Sequence, residues 1–438
     1  TEGVFNADFS NYGPEIDLCA PGTDIYSTIP DKSFTTYSGT SMACPMVSGL
    51  AALLLSCYPG YTPDQIKDLM FLSATDLGDH GFDPYYGNGL IHVGKALDPQ
   101  VSQIYFEGAG TEADPFLIAS PLQLMQMADL VNLKIPLYRY GFYKLTADLD
   151  LSGISNWTPI GCSPEQSFWG TFDGDGNVIT CLNIVQSVDN PPFFGYFIGL
   201  FGHITGTVKN ICLTDANITI TGSGNSCAGG IAGKIYPDSL VTHCHFSGKI
   251  TGSATFAGGI AGINNGEITW CSNSGDIQGL AHTGGIAGSS TSISDCFNTG
   301  MIEGTTGTET TAGGICGENL TSVFRCFNRG PVFGQAKYTG GIAGKNFSQL
   351  GFCHNSGKIF GGSSVTGGLI GSSTGWVNDC YNSGDVVGTG YAAGGLFGLL
   401  AKWTASQTYN TGAVSGTGSC IGGFAGHVLA SAVITDSY

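Results

Sequence analysis

The residues of this 438-residue chain best suited to covalent chemistry lie early, in the run Tyr37-Ser38-Gly39-Thr40-Ser41-Met42-Ala43-Cys44-Pro45-Met46-Val47-Ser48-Gly49, which leads into the apolar stretch 50–55. A serine hydroxyl attacks a carbonyl carbon when an imidazole takes its proton and nearby N–H groups hold the charge that develops on the carbonyl oxygen. The order of residues suits that task. Gly39 allows a tight turn, Ser41 falls at the N-terminal end of an apolar helix, and Pro45 is expected in the first turn, where a backbone N–H has no helical partner anyway. The N-terminal end of the helix dipole then favours negative charge beside the hydroxyl. A lone serine before a helix is more often a cap than a nucleophile, so the weight rests on the whole run.

That run closely resembles the serine box of the subtilisin-like peptidases, the subtilases. Upstream, Phe9-Ser10-Asn11-Tyr12-Gly13 and Ala20-Pro21-Gly22-Thr23-Asp24-Ile25-Tyr26-Ser27-Thr28 resemble the strand and turn that precede the box. Downstream, Thr62-Pro63-Asp64-Gln65 opens a helix with a capping box and a first-turn proline, and Tyr86-Gly87-Asn88-Gly89-Leu90-Ile91-His92-Val93 is similar to the family's closing segment. The resemblance covers residues 7–98. Met46 stands where many members have His and Ser48 where Ala is common, and neither position carries chemistry.

The resemblance implies a partial α/β domain built on a parallel sheet. It makes Ser41 the acylated nucleophile of peptide-bond hydrolysis, with its own backbone N–H forming part of the oxyanion hole. Subtilases present their triad in the order Asp, His, Ser, and the oxyanion Asn also precedes the serine. The forty residues before Ser41 contain no His and neither of the family's Asp or His boxes. The triad Asp and His and the oxyanion Asn are therefore expected upstream of residue 1, and this stretch by itself is expected to be inactive. In subtilisin, loss of the histidine alone lowers turnover by about 2 × 10⁶. With the upstream strands missing too, residues 1–98 are expected to leave their helices partly uncovered.

Other candidates are weaker. Nothing in the spacing of His80 or His92 places either beside Ser41, and surface or core roles are expected for both. Asp173-Gly174-Asp175-Gly176-Asn177 suggests a calcium loop, but the sixth position is Val178 and the twelfth Ile184, so a plain turn is expected. Calcium is allowed by the family resemblance, yet no site for it is identifiable, and no other cofactor or metal site is evident. The repeats offer no recurrent paired carboxylates of the kind a glycosidase needs.

Composition sets the frame for these motifs. Gly accounts for 70 of 438 residues, charged residues for 11% and hydrophobic residues for 42%, which suits many short strands and tight turns around buried cores. The formal net charge is −18, with 3 basic against 12 acidic residues in 1–98 and 9 against 11 in 199–438. That balance argues against nucleic acid as a partner. The longest apolar run, 50–55, falls far short of a bilayer span, and residues 1–40 show no basic-then-apolar leader, the true N-terminus being expected upstream of residue 1. The 15 cysteines fall mostly at one recurring repeat position rather than in CxxC pairs, which excludes the usual zinc arrangements. A stack of buried thiols is expected, with disulfides as the alternative.

The second half is a repeat. Gly-Gly-[Ile/Leu/Phe]-x-Gly begins at Gly229, Gly258, Gly284, Gly313, Gly340, Gly367, Gly394 and Gly422, at intervals of 26 to 29 residues. A second signature follows about fifteen residues later, as in Cys271-Ser272-Asn273-Ser274-Gly275 and Cys380-Tyr381-Asn382-Ser383-Gly384. Each unit holds three short alternating apolar stretches, the pattern of one coil of a β-solenoid with glycines at its corners. Equivalent residues of stacked coils sit about 4.8 Å apart. Cys271, Cys296, Cys326, Cys353 and Cys380 should therefore form one inward ladder, and Asn273, Asn298, Asn328, Asn355 and Asn382 another.

These repeats resemble the GLUG motif of bacterial surface and secreted proteins, which implies architecture and location more than chemistry. Residues 102–198 differ, with a turn at 108–114, a helix signal at Ser120-Pro121 and aromatic strands around Trp157, Trp169 and Phe172. This stretch is expected to cap the solenoid. The chain is thus expected to be multidomain: a partial α/β subtilisin-like domain at 1–98, a linker and cap at 99–198, and an all-β glycine-rich β-solenoid at 199–438, cut at its C-terminal end. Two functions remain open at this point. One is a secreted or surface serine endopeptidase acting on protein or peptide substrates, whose solenoid is a spacer or docks a cell-surface or wall ligand. The other is a surface adhesin or structural solenoid that keeps a degenerate peptidase domain. Asp and His-Gly boxes in the upstream reading frame would decide between them.

Overall fold

The computed structural model describes residues 7–59, 61–78, 83–97, 106–189, 195–305, 307, 309–362 and 364–438. His80 and the expected boundary at 98/99 lie outside the described residues. The chain divides into one unit of Thr1–Phe106 with Met125–Ile135 and another of Glu107–Leu124 with Pro136–Tyr438.

In the first unit, β1 (Ile25–Ile29) and β2 (Ser33–Tyr37) form an antiparallel pair. Helix α1 (Thr40–Cys57) follows, then α2 (Pro63–Ser73) and α3 (Val93–Ala96). Helix α2 opens at the expected proline, with the Thr62 carbonyl accepting the Ile66 N–H at 3.0 Å. Leu50, Leu54, Ile66, Leu69, Met70 and Ala96 form the core that joins the three helices. The closing segment is threaded between loops by single bridges, Leu18 with Gly87, Cys19 with Leu90 and Thr75 with Leu90. Gly89 is required there: its φ is +112°, and a Cβ would lie 2.4 Å from the Thr75 carbonyl oxygen.

Only Leu50 and Leu54 of α1 are buried, while Met46, Leu53 and Leu55 are exposed. The helix is 18 residues long and apolar enough to cross a membrane by length and composition. Its burial of Leu50 and Leu54 against α2 and α3 is that of a helix covered on one side.

In the second unit, coils stack in parallel register from Phe116 onward, giving about eleven turns. In-register strands therefore begin within the stretch expected to form the cap. Ser120 and Pro121 behave as anticipated: the Ser120 hydroxyl accepts the Gln123 N–H at 3.3 Å, and Gln123 Oε1 accepts the Ala119 N–H at 2.8 Å. Three faces carry the ladders. Strands from successive coils pair residue for residue, as in Thr283–Gly284 with Ala312–Gly313, then Thr339–Gly340, Thr366–Gly367 and Ala393–Gly394. The apolar residues that follow these strands, Ile286, Ile315, Ile342 and Leu369, are fully buried.

Both polar ladders form. Asn273 Nδ2 donates to Asn298 Oδ1 at 2.7 Å, and the chain continues through Asn328, Asn355, Asn382 and Asn410 at 2.8 Å per step. Each amide also closes its own turn, as where Asn273 Oδ1 accepts the Gly275 N–H at 3.0 Å. Buried amides are tolerated because donor and acceptor are both used. The cysteines are free thiols, which settles the alternative left open by their spacing. The Cys271 N–H donates to Cys296 Sγ at 3.3 Å, and the Cys296 thiol donates to the Ser294 carbonyl at 3.1 Å. Burial pushes the Cys326 and Cys353 thiols well up, so they stay protonated.

The corners differ from the expectation of glycine. The residue before each ladder cysteine takes the left-handed conformation, and it is His243, Trp270, Asp295, Arg325, Phe352 and Asp379 in successive coils, with φ between 51° and 55°. For residues with a Cβ this conformation costs roughly 1–2 kcal/mol each. The paired glycines answer another need. A Cβ on Gly314 would lie 2.1 Å from the Gly341 carbonyl oxygen and 2.3 Å from Asn328 Cγ. From Gly259 to Gly395 the second glycine of each Gly-Gly pair makes room for a ladder asparagine, whereas Gly230 faces Phe246, so in these coils the two sequence signatures are one packing unit.

Candidate active site

Ser41 is the second residue of α1 and is exposed. Two glycines fix the entry to the helix. The Gly39 N–H donates to the Gly22 carbonyl at 2.7 Å, and a Cβ on Gly22 would stand 2.9 Å from the Gly39 oxygen. Beside them the Asp24 N–H donates to the Ser38 hydroxyl at 2.8 Å. The 20–28 segment, read from sequence as a strand and turn, thus holds the serine box by its backbone. The glycine at 22 is the only sequence signal for that contact.

Pro45 is the sixth residue of α1 rather than part of its first turn, because the helix starts at Thr40. Its missing N–H leaves the Ser41 carbonyl without its usual helical donor. The Met42 N–H donates to the Gly39 carbonyl at 3.0 Å. Among the described residues no carbonyl accepts the Ser41 N–H and no side chain bonds its hydroxyl. An exposed hydroxyl and a free N–H at the positive end of an 18-residue helix can present a nucleophile and stabilise an oxyanion together. A cavity of about 630 Å³ lies alongside, lined in part by Ala20, Gly22, Thr40, Ala43, Val47 and Leu90.

No proton acceptor accompanies the serine among the described residues of this unit. His92 is the N-cap of α3, where its Nδ1 accepts the Lys95 N–H at 3.1 Å. Asp173 turns its oxygens to local partners, accepting from the Asp175 N–H at 2.9 Å and pairing with Lys209 at 3.1 Å. This is the plain turn the spacing suggested. Among the described residues no group of three or more His, Cys, Asp or Glu side chains could hold a metal.

The sequence and this geometry agree with comparisons to known proteins. Residues 5–89 match the subtilase family and residues 224–251 match the GLUG motif. Residues 5–89 are thus a subtilisin-like peptidase segment, joined in one chain to a β-solenoid. The chain is 49% identical over 90 residues to a thermostable alkaline protease of Halalkalibacterium halodurans, covering 20% of this chain and 24% of that protein. It is 47% identical over 90 residues to subtilisin DY of Bacillus licheniformis, covering 20% and 32%. With the halolysin-like extracellular serine protease Nep of Natrialba magadii it shares 38% over 98 residues, covering 22% and 18%. The chain therefore spans less than a third of the length of these relatives.

Proposed function

We propose that residues 7–97 are the nucleophile-bearing part of an extracellular serine endopeptidase, which cleaves protein or peptide substrates through an acyl-enzyme on Ser41. The solenoid serves as a spacer or docking domain outside the cell. One observation carries this reading: Ser41 is exposed at the N-terminus of α1, held by the Gly22–Gly39 contact, inside a segment 49% identical to an alkaline protease. The relatives' names, one of them describing an extracellular protease, support the location. Residues 1–40 supply no imidazole, so the base and its orienting aspartate must come from outside residues 1–438. The 438-residue chain alone is therefore inert.

The test is covalent labelling with a fluorophosphonate probe. A longer protein carrying the upstream reading frame should label, Ser41→Ala should abolish the label, and the 438-residue chain should stay unlabelled. Strong Ser41-dependent labelling of the short chain would refute the missing-partner argument. An unlabelled longer protein would favour the adhesin with a degenerate peptidase domain.

A further inference from the structure

The left-handed corner of the solenoid carries side chains that the backbone does not favour there. Glycine or asparagine would take this conformation at least strain, yet interior coils place Trp270, Arg325 and Phe352 at it. All three project outward: Trp270 is 60% and Phe352 56% exposed, and the Arg325 side chain is 57% exposed. In register order the corner reads Trp270, Asp295, Arg325, Phe352, so the two rings stand three coils apart, about 14 Å. Between them Arg325 grips Asp295 with both Nε and Nη2 at 2.6 Å, which holds the planar guanidinium in place with further N–H groups free. The Trp270 ring is braced by His243, 6.1 Å away and 12° from parallel.

The backbone N–H groups at this corner are committed. The N–H groups of Trp270, Asp295, Arg325 and Phe352 donate to Ser294, Phe324, Gly351 and Asn378 of the next coil at 3.0–3.2 Å. A polypeptide partner could not pair through these N–H groups, because each is already bonded to the next coil. What remains is two exposed aromatic side chains separated by a fixed planar donor. That arrangement suits a polymer with apolar ring faces and hydroxyls at regular spacing.

We propose that this corner binds an extended oligosaccharide, three to four sugar units long, laid along the solenoid axis. Trp270 and Phe352 stack on pyranose rings, and Arg325 bonds hydroxyls between them. This builds on the docking role proposed for the solenoid, and it is independent of Ser41.

The test is calorimetric titration of the 438-residue chain with cellohexaose, chitohexaose and laminarihexaose. At least one should bind, with affinity lowered about tenfold or more by Trp270→Asn and by Phe352→Asn, and unchanged by Ser41→Ala. The same two substitutions should raise the unfolding midpoint, since asparagine relieves the left-handed strain. A purely structural corner residue would lower it. Failure of all three sugars to bind at about 10 mM, binding insensitive to both substitutions, or a lowered unfolding midpoint would overturn the proposal. A corner-dependent affinity for casein without sugar binding would overturn it as well and assign the corner to protein. Loss of peptidase activity in the longer protein with sugar binding intact would sink only the peptidase reading.

Discussion

Helix α1 and the solenoid coils are both apolar and glycine-containing, yet they keep water out by different means. In α1, a residue such as Leu54 is buried only because α2 and α3 lie across it, while Leu53, one position before it, is 41% exposed. In the solenoid each coil is covered by the next copy of itself, so Ile286, Ile315 and Ile342 are all at 0% exposure without help from distant sequence. A core built from nearest neighbours is finished locally, whereas one built from layers depends on chain far away in sequence. The serine box belongs to the second kind and the docking corner to the first.

Thiol chemistry should break this comparison most sharply. Cys44 and Cys57 are exposed on α1, whereas Cys271, Cys296, Cys326, Cys353 and Cys380 are fully buried. Iodoacetamide with mass mapping should modify the first pair at least about 10³-fold faster, with the ladder reacting only after unfolding. Comparable rates would mean that the coils open readily.

Close packing in the solenoid gives the next largest effect. In Gly341→Ala the new Cβ would sit 2.1 Å from the Gly368 carbonyl oxygen and 2.4 Å from Asn355 Cγ. A loss of about 3 kcal/mol or more in denaturant unfolding is expected, because backbone of the next coil cannot move aside. A change under about 1 kcal/mol would show the coils to be loosely stacked.

Acid should act on the solenoid through His203. This imidazole is fully buried, lies tilted 4.3 Å from the Phe197 ring, and has neither ring nitrogen hydrogen-bonded among the described residues. Burial, with the Lys234 charge nearby, pushes it down from 6.5 to about 3. The neutral form is the one the fold accepts, so stability is full above pH 6.5 and falls as pH drops from there towards 3. At pH 4.5 the loss is about 2–3 kcal/mol. His203→Phe should remove this part of the pH dependence, as judged by unfolding at pH 7 and 4.5, and an unchanged slope would clear His203 of the role.

The smallest effect belongs to α1. Leu53→Ser should change stability by no more than about 0.5 kcal/mol, against about 2–4 kcal/mol for Leu54→Ala. Equal losses in thermal unfolding would mean that α1 is covered on both sides.

Much of this was legible from residue order. The Gly-Gly and Cys-x-Asn spacings announce the coil and its inward ladders, since a period of 26 to 29 residues brings like residues together whatever the rest of the fold does. The serine box likewise shows Ser41 at a helix start, because glycine, serine and an apolar run are local signals. Pro45 was misplaced by one turn, for a proline tolerates the second turn when the carbonyl it leaves free is near a helix end.

What stacking alone decided concerns distances between coils. Residue order marks the glycines but assigns them to corners. Only the assembled coils show that the second glycine clears space for an asparagine side chain, that Trp270 and Phe352 take the left-handed corner, and that the thiols pass N–H bonds along the ladder without pairing. The reason is physical. A period encodes which side chains face inward, but the closeness of two backbones, and hence where a Cβ is forbidden, exists only once separate turns of the chain lie against each other.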